Sequence, residues 1–98
     1  MKKQKKLLIE VFYNEFKMLD KLNYIKKVMN SCTSLEQLDS TLKWGEKVLW
    51  NNCDMMNRKL DKYDTCFSIS ISFKMIGMTK EYTDDLIRNY NVLSKNLI

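Results

Sequence analysis

The stretch that decides the fold is residues 33–60, TSLEQLDSTLKWGEKVLWNNCDMMNRKL. Apolar or small residues recur in it every three or four positions, the spacing of one face of an amphipathic helix: Leu35, Leu38, Leu42, Gly45, Leu49, Cys53, Met56 and Leu60. Thr33 with Glu36 has the spacing of a capping box, and Ser34 with Gln37 offers the same arrangement one residue later. The pattern predicts a long helix that begins near Thr33 and lies at the centre of the fold.

Gly45 lies on the apolar face of this helix. Glycine inside a helix costs up to about 1 kcal/mol relative to alanine, so the position calls for a structural reason. Since glycine lets two backbones approach closely, we expect another helix to cross at Gly45.

The two tryptophans of this helix, Trp44 and Trp50, lie off its central apolar line. Six residues separate them, so they differ by about 240° around the helix and do not share one face. Trp44 points further from the core side, and Lys43 and Lys47 flank it as a charged rim. We therefore expect these three residues to form a partner-binding surface, because exposed tryptophan is a favoured interface anchor. The alternative is that both tryptophans flank a wide core.

A first helix is predicted from about Lys5 to Met29, where apolar residues form two rows at helical spacing. The first row is Leu8, Val11, Met18, Leu22, Ile25 and Met29, and the second is Ile9, Phe12, Phe16 and Leu19. Two rows make a wide apolar face, so we expect this helix to be largely enclosed.

Residues 66–78 fit two patterns. Apolar residues alternate with Ser68, Ser70, Ser72 and Lys74, as in a half-buried strand. The same segment also has helical spacing, and Ile76-Gly77-Met78 resembles a helix C-terminus, after which Thr79 could cap a last helix from about Lys80 to Asn96. A lone strand cannot satisfy its backbone groups, so helix is favoured.

The prediction is thus one all-α domain, a small bundle of three to four helices over residues 7–98, preceded by a basic arm at 1–6. Ninety-eight residues are enough for a single core. The alternative is an α+β fold in which one strand at about 66–76 pairs across a homodimer.

The positive charge is concentrated at the N-terminus. The chain carries 17 Lys and Arg against 12 Asp and Glu, and four of its five net charges belong to Lys2, Lys3, Lys5 and Lys6. This favours nucleic-acid binding only through the arm. Residues 73–88 have the element order of a helix-turn-helix, but Glu81 and Asp84 at the start of its second helix would repel phosphates.

The residue inventory argues against catalysis. The chain has no histidine, no CxxC pair and no glycine-rich phosphate loop. Asp84 and Asp85 are adjacent carboxylates near an expected helix start. Acidic residues there stabilise the helix N-terminus and need no further role. We therefore expect a protein that is not an enzyme, with no catalytic residue, cofactor or metal.

The expected location is the cytoplasm. The chain has no apolar run long enough for a membrane span and no signal-peptide pattern, so no membrane association is expected. Cys32, Cys53 and Cys66 are odd in number and widely spaced, which suits free thiols in a reducing compartment.

One segment resembles a known group of proteins. The run from Asn30 to Leu38, followed by Lys43-Trp44, is similar to a pattern in small uncharacterised proteins of bacteriophages and related mobile elements: a helix ends, a turn with Cys32 and Thr33 follows, and a Glu-Gln-Leu helix begins. Such proteins often bind and redirect host machinery, including restriction and CRISPR effectors. The resemblance implies a host protein as partner, the host cytoplasm as location, and inhibition of a defence or transcription enzyme, for example as an anti-CRISPR-like inhibitor.

Two functional classes follow from the sequence. The first is an accessory protein that works by protein–protein binding. The alternative is a nucleic-acid-associated protein that uses Lys2, Lys3, Lys5 and Lys6, in a form that could be a homodimer. A salt titration of DNA binding separates the two classes, because phosphate contacts weaken steeply with salt.

Overall fold

The computed structural model describes residues 2–60 and 66–97, with side chains from residue 9 to 60 and from 69 to 97. They form three helices: α1 at Lys2–Asn30, α2 at Leu35–Leu60 and α3 at Cys66–Leu97. The predicted all-α bundle is confirmed. The alternative strand at 66–76 is wrong, because the segment satisfies its backbone groups within α3 and needs no partner strand.

The helices run up, down and up in an elongated bundle of 54 × 17 × 16 Å. Contacts between Met18 and Thr79 and between Lys26 and Asp85 align α1 parallel to α3. Antiparallel α2 lies between them in the sequence, packs most extensively against α3, and contacts α1 as well. The core is built from methionine, leucine and isoleucine side chains of all three helices. The helix that begins near Thr33 is thus the central one, as predicted.

Gly45 lies in close contact with both neighbouring helices. A Cβ at this position would lie 2.5 Å from Cγ2 of Ile25 and 3.2 Å from Cδ1 of Leu86. These distances are below ordinary van der Waals contact, so only glycine fits without movement. The predicted close crossing is confirmed, and it involves side chains from both neighbouring helices.

Ser34 caps α2, which decides between the two capping arrangements. The Gln37 amide donates to Ser34 Oγ at 3.2 Å, and the Thr33 amide donates to Gln37 Oε1 at 2.9 Å. The Ser34–Gln37 pair therefore satisfies the first turn, because Leu35 is the first helical residue and Gln37 stands at the third position.

The expectation that α1 is largely enclosed is wrong. Its second apolar row is exposed: Ile9 62 %, Phe12 64 %, Phe16 66 % and Leu19 42 %. In the part of the chain that the structure describes, only two helices pack on α1, and they cover the row through Val11, Met18 and Ile25. Phe12 and Phe16 are rotated by more than about 100° from that row, so they face outward.

The expected break between two helices at Ile76–Thr79 is also wrong, because α3 continues through it. Thr79 is fully buried and donates its hydroxyl to the Met75 carbonyl at 2.7 Å instead of capping a helix. Gly77 faces open space, so its lack of a side chain neither ends the helix nor serves a contact. The helix-turn-helix reading is overturned with the break, and Asp84 and Asp85 lie within α3, not at a helix start.

Candidate partner-binding groove

Trp44 lies at the surface of the bundle, where α2 faces α1. Its side chain is 42 % exposed and meets the ring of Tyr24 edge to face, with 6.2 Å between centroids and 74° between planes. Trp50 is 38 % exposed on another side of α2. Neither tryptophan is a core residue, and the difference in exposure between them is smaller than the helical angles predict.

Trp44 and Tyr24 form the aromatic wall of a groove of about 340 Å³ between α1 and α2. Buried Ile25 and half-buried Val48 provide its apolar floor. The volume lies at the lower end of the range of small-ligand pockets and suits one or two side chains of a partner. The arrangement combines an exposed aromatic pair with an apolar floor, the usual make-up of an interface anchor site.

The rim of this groove is charged. Lys17, Asp20 and Lys21 line it from α1. Lys17 also holds its ammonium 5.8 Å from the centre of the Tyr13 ring, and Lys21 donates to Asn52 Oδ1 across a long 3.4 Å. Two lysines against one aspartate make the rim net positive, which favours a partner with acidic residues around an apolar side chain.

The structure places only part of the predicted site in the groove. Trp44 lines it, whereas Lys43 and Lys47 are exposed on α2 without lining it. Sequence reasoning on α2 alone missed the contribution of α1, which includes Lys17, Lys21 and Tyr24. The missed signal was the helical spacing of these three residues, which sets them on one side of α1 away from the buried row.

The perturbed ionisable groups lie at the helix seams and not in the groove. The hydrogen bond from Lys26 lowers the pKa of Asp85, and Arg88 adds to the effect. Burial raises the pKa of Tyr82, with smaller contributions from Glu15 and Glu81. The hydrogen bond that Tyr90 donates to Asp39 raises the pKa of Tyr90. Each group joins or borders two helices, so these shifts are explained by packing.

A second, shallow depression of about 600 Å³ lies at the turn between α1 and α2. Cys32 lines it, and its sulfur lies 3.4 Å from both the Val28 carbonyl and the Thr41 hydroxyl. These contacts help to hold the turn between α1 and α2. Over residues 2–60 and 66–97, no three His, Cys, Asp or Glu side chains converge as a metal site would require.

The backbone of the basic segment is helical. α1 begins at Lys2, so the backbone of Lys2, Lys3, Lys5 and Lys6 continues the helix. Their side chains lie outside the described ones.

No family model, curated protein or solved structure matches the chain. None of the three helices, over the residues described, is both long and apolar enough to cross a membrane.

Proposed function

We propose that this chain acts by binding another protein through the groove between α1 and α2. The observation that carries the proposal is the exposed Trp44–Tyr24 pair above the apolar floor of Ile25 and Val48. Exposed tryptophan and tyrosine beside a pocket are the side chains that dominate binding energy in protein interfaces. Lys47, one helical turn after Trp44, would extend the positive rim along α2, whereas Lys43 lies on the side of α2 that carries Trp50.

The residues that line the groove indicate which side chains its partner should present. An aliphatic or aromatic side chain would fill the space between Tyr24 and Val48, and acidic residues beside it would face Lys17 and Lys21. An amphipathic helix or an exposed loop can present such an anchor with acidic flanks. Rim charges mainly raise the association rate, so binding should weaken with salt but persist.

The resemblance of residues 30–38 and 43–44 to phage accessory proteins supports a narrower form of the proposal. The partner would then be a host protein in the host cytoplasm, and binding would inhibit a defence or transcription enzyme in the manner of an anti-CRISPR-like inhibitor. Occupation of a partner surface suffices for such inhibition and demands no catalytic group of the chain.

The test compares the two tryptophans. Trp44→Ala and Trp50→Ala remove the same side chain at nearly equal exposure, so each should lower the free energy of unfolding by a similar, modest amount of about 1–2 kcal/mol. Affinity purification from host extract, followed by titration with the purified partner, should show that Trp44→Ala weakens binding by about 2 kcal/mol or more. Trp50→Ala should leave it nearly unchanged.

Equal binding by both variants would contradict the groove as the site. A second comparison tests the rim: Lys21→Glu should weaken binding, and Lys95→Glu, which changes an exposed lysine near the far end of α3, should not. If neither change matters, the proposed acidic flank of the partner is wrong.

The alternative function, nucleic-acid binding, keeps the support of the four N-terminal lysines but not of a helix-turn-helix. Titration of random duplex DNA at several salt concentrations tests it. Binding with a steep inverse salt dependence, lost on deletion of residues 1–6, would favour the alternative. Absence of such binding leaves protein recognition as the function to pursue.

A further inference from the structure

Helix α1 carries an exposed apolar row that the groove does not use. Ile9, Phe12, Phe16 and Leu19, which we call the outer stripe, are 42–66 % exposed. Their spacing of three, four and three residues is that of the a and d positions of a heptad repeat. The next positions of that repeat are Lys5 before the stripe and Asn23 after it, so the apolar pattern stops at both ends.

The outer stripe is large enough to need an explanation. Phenylalanine and tyrosine each present about 150–250 Å² that an interface can bury, so the stripe together with adjacent Tyr13, 66 % exposed, offers on the order of 600 Å². A patch of about this size is at the upper end of what a typical monomer exposes, and such patches are often functional. Two such faces in contact would bury on the order of 1,200 Å², which reaches the area of specific interfaces.

We propose that two copies of this chain pair through their outer stripes, with the two α1 helices antiparallel. A two-fold interface requires a surface that is complementary to itself. The outer stripe meets this condition, because it reads aliphatic, aromatic, aromatic, aliphatic in both directions. In the antiparallel pair Phe12 of one copy faces Phe16 of the second copy, and Ile9 faces Leu19.

Charge decides the direction of the pair. α1 begins at Lys2, so a parallel pair would bring eight lysines, four from each copy, to the same end of the interface. Like charges at close range repel, whereas the antiparallel pair separates the two clusters by the length of the stripe. Asp20, beside Leu19, then lies within about one to two turns of the basic segment of the second copy.

The width of the stripe favours a second helix over a lipid surface. A strict a and d pattern is the narrow seam of a helix pair, whereas helices that lie in a membrane interface have a broader apolar face. Asp20 and Glu15, on the two sides of the stripe, narrow the apolar face further. The four residues of the outer stripe lie apart from the groove, since Tyr24 and Lys17 lie on another side of α1, and Asp20 borders both surfaces.

Sedimentation velocity across the micromolar range tests the pairing. The chain of 98 residues should sediment as a dimer, and Phe16→Lys should raise the dissociation constant by about 10-fold or more. Phe73→Lys is the matched control, because Phe73 is a 71 % exposed phenylalanine on α3. It should leave the dissociation constant unchanged. A chain that stays monomeric, or a dimer that only Phe73→Lys disrupts, would overturn the proposal.

A charge exchange tests the direction. Ile9→Glu and Leu19→Lys should each weaken the dimer, and the double variant should restore it, because the introduced glutamate of one copy then faces the introduced lysine of the other. In a parallel pair the double variant would place like charges opposite each other and bind more weakly than either single variant. That result would overturn the antiparallel arrangement. Circular dichroism of each variant confirms that the helices remain.

Co-sedimentation with anionic phospholipid vesicles tests whether the outer stripe binds a lipid surface instead of a second copy. If the chain is monomeric in solution and binds vesicles through Phe16, the outer stripe is a lipid-binding face and the dimer is wrong. If Trp44→Ala abolishes partner binding while the dimer persists, the groove and the outer stripe are independent. A dimer that survives both Phe16→Lys and Ile9→Glu would place the interface elsewhere and refute the proposal.

Discussion

At the scale of single residues, the two glycines give opposite predictions. Gly45→Ala should destabilise the fold, because the new methyl group would collide with Ile25 and press on Leu86. We expect a loss of about 1–3 kcal/mol in the free energy of unfolding, the usual cost of an overpacked core. Gly77→Ala should gain about 0.5–1 kcal/mol, because alanine is the better helix former and its methyl group meets open space.

Urea denaturation of both variants measures the difference. The two substitutions are chemically identical and both lie inside helices, so each controls for the other. If both variants gained stability, the close crossing of α1 and α2 would be wrong. If both lost it, Gly77 would not lie in a continuous helix.

The lowered pKa of Asp85 predicts how the stability of the fold depends on pH. Its hydrogen bond from Lys26 holds its pKa below the usual 3.8, so the carboxylate stabilises the fold above that value. This contribution to stability disappears as the pH falls through the lower pKa of the folded state, because protonation of the Asp85 carboxylate breaks its ion pair with Lys26. Asp85→Asn should therefore lower the free energy of unfolding by less than about 1 kcal/mol at neutral pH, since the pair is about one-third exposed.

The control is Asp84→Asn, which changes an exposed neighbour on the same helix. Thermal unfolding from acid to neutral pH should give a gap between wild type and Asp85→Asn that closes at acid pH. The corresponding gap for Asp84→Asn should be smaller throughout. A gap for Asp85→Asn that grows toward acid pH would contradict the sign of the shift.

At the scale of elements, the continuity of α3 has a direct test in amide hydrogen exchange. In a continuous helix the amides of Lys80, Glu81 and Tyr82 donate to carbonyls one turn earlier, so they should exchange about as slowly as that of Leu86. If a new helix began at Lys80, these amides would lack helical partners and exchange fast. Exchange measured by NMR on the native protein distinguishes the two cases.

The sequence predicted the elements better than their boundaries. Helical spacing located α1 and α2, and Gly45 indicated the close crossing. The break at Gly77 was wrong because a glycine on an exposed side costs only about 1 kcal/mol, which the burial of Met75 and Thr79 outweighs. The second row of α1 was misjudged because periodicity shows that a face is apolar but not whether another helix covers it.

The groove was predictable only in part for the same reason. Sequence spacing on one helix points to Trp44, but it cannot tell which residues of α1 stand opposite. The pairing of Tyr24 with Trp44 depends on the register between α1 and α2, which the contact of Gly45 with Ile25 sets. A site that two helices share therefore requires their packing as well as their patterns.

At the scale of the whole molecule, the elongated shape predicts the dimensions of the dimer. The radius of gyration is 15.8 Å, against about 13 Å for a compact domain of 100 residues. A monomeric Phe16→Lys variant should show this value in small-angle X-ray scattering. The antiparallel dimer should be much less than twice as long as the monomer, because the two α1 helices overlap along most of their length. A dimer about twice as long would mean end-to-end contact.

The unequal packing of the three helices also sets the order in which the chain assembles. Because α2 packs more extensively on α3 than on α1, we expect the α2–α3 hairpin to form the folding nucleus and α1 to dock after the transition state. Leu60→Ala should then mainly slow folding, whereas Ile25→Val should mainly speed unfolding. Stopped-flow measurements of the folding and unfolding rates of the two variants test this order. The helix that carries the outer stripe is thus the last to join the fold and the first to leave it.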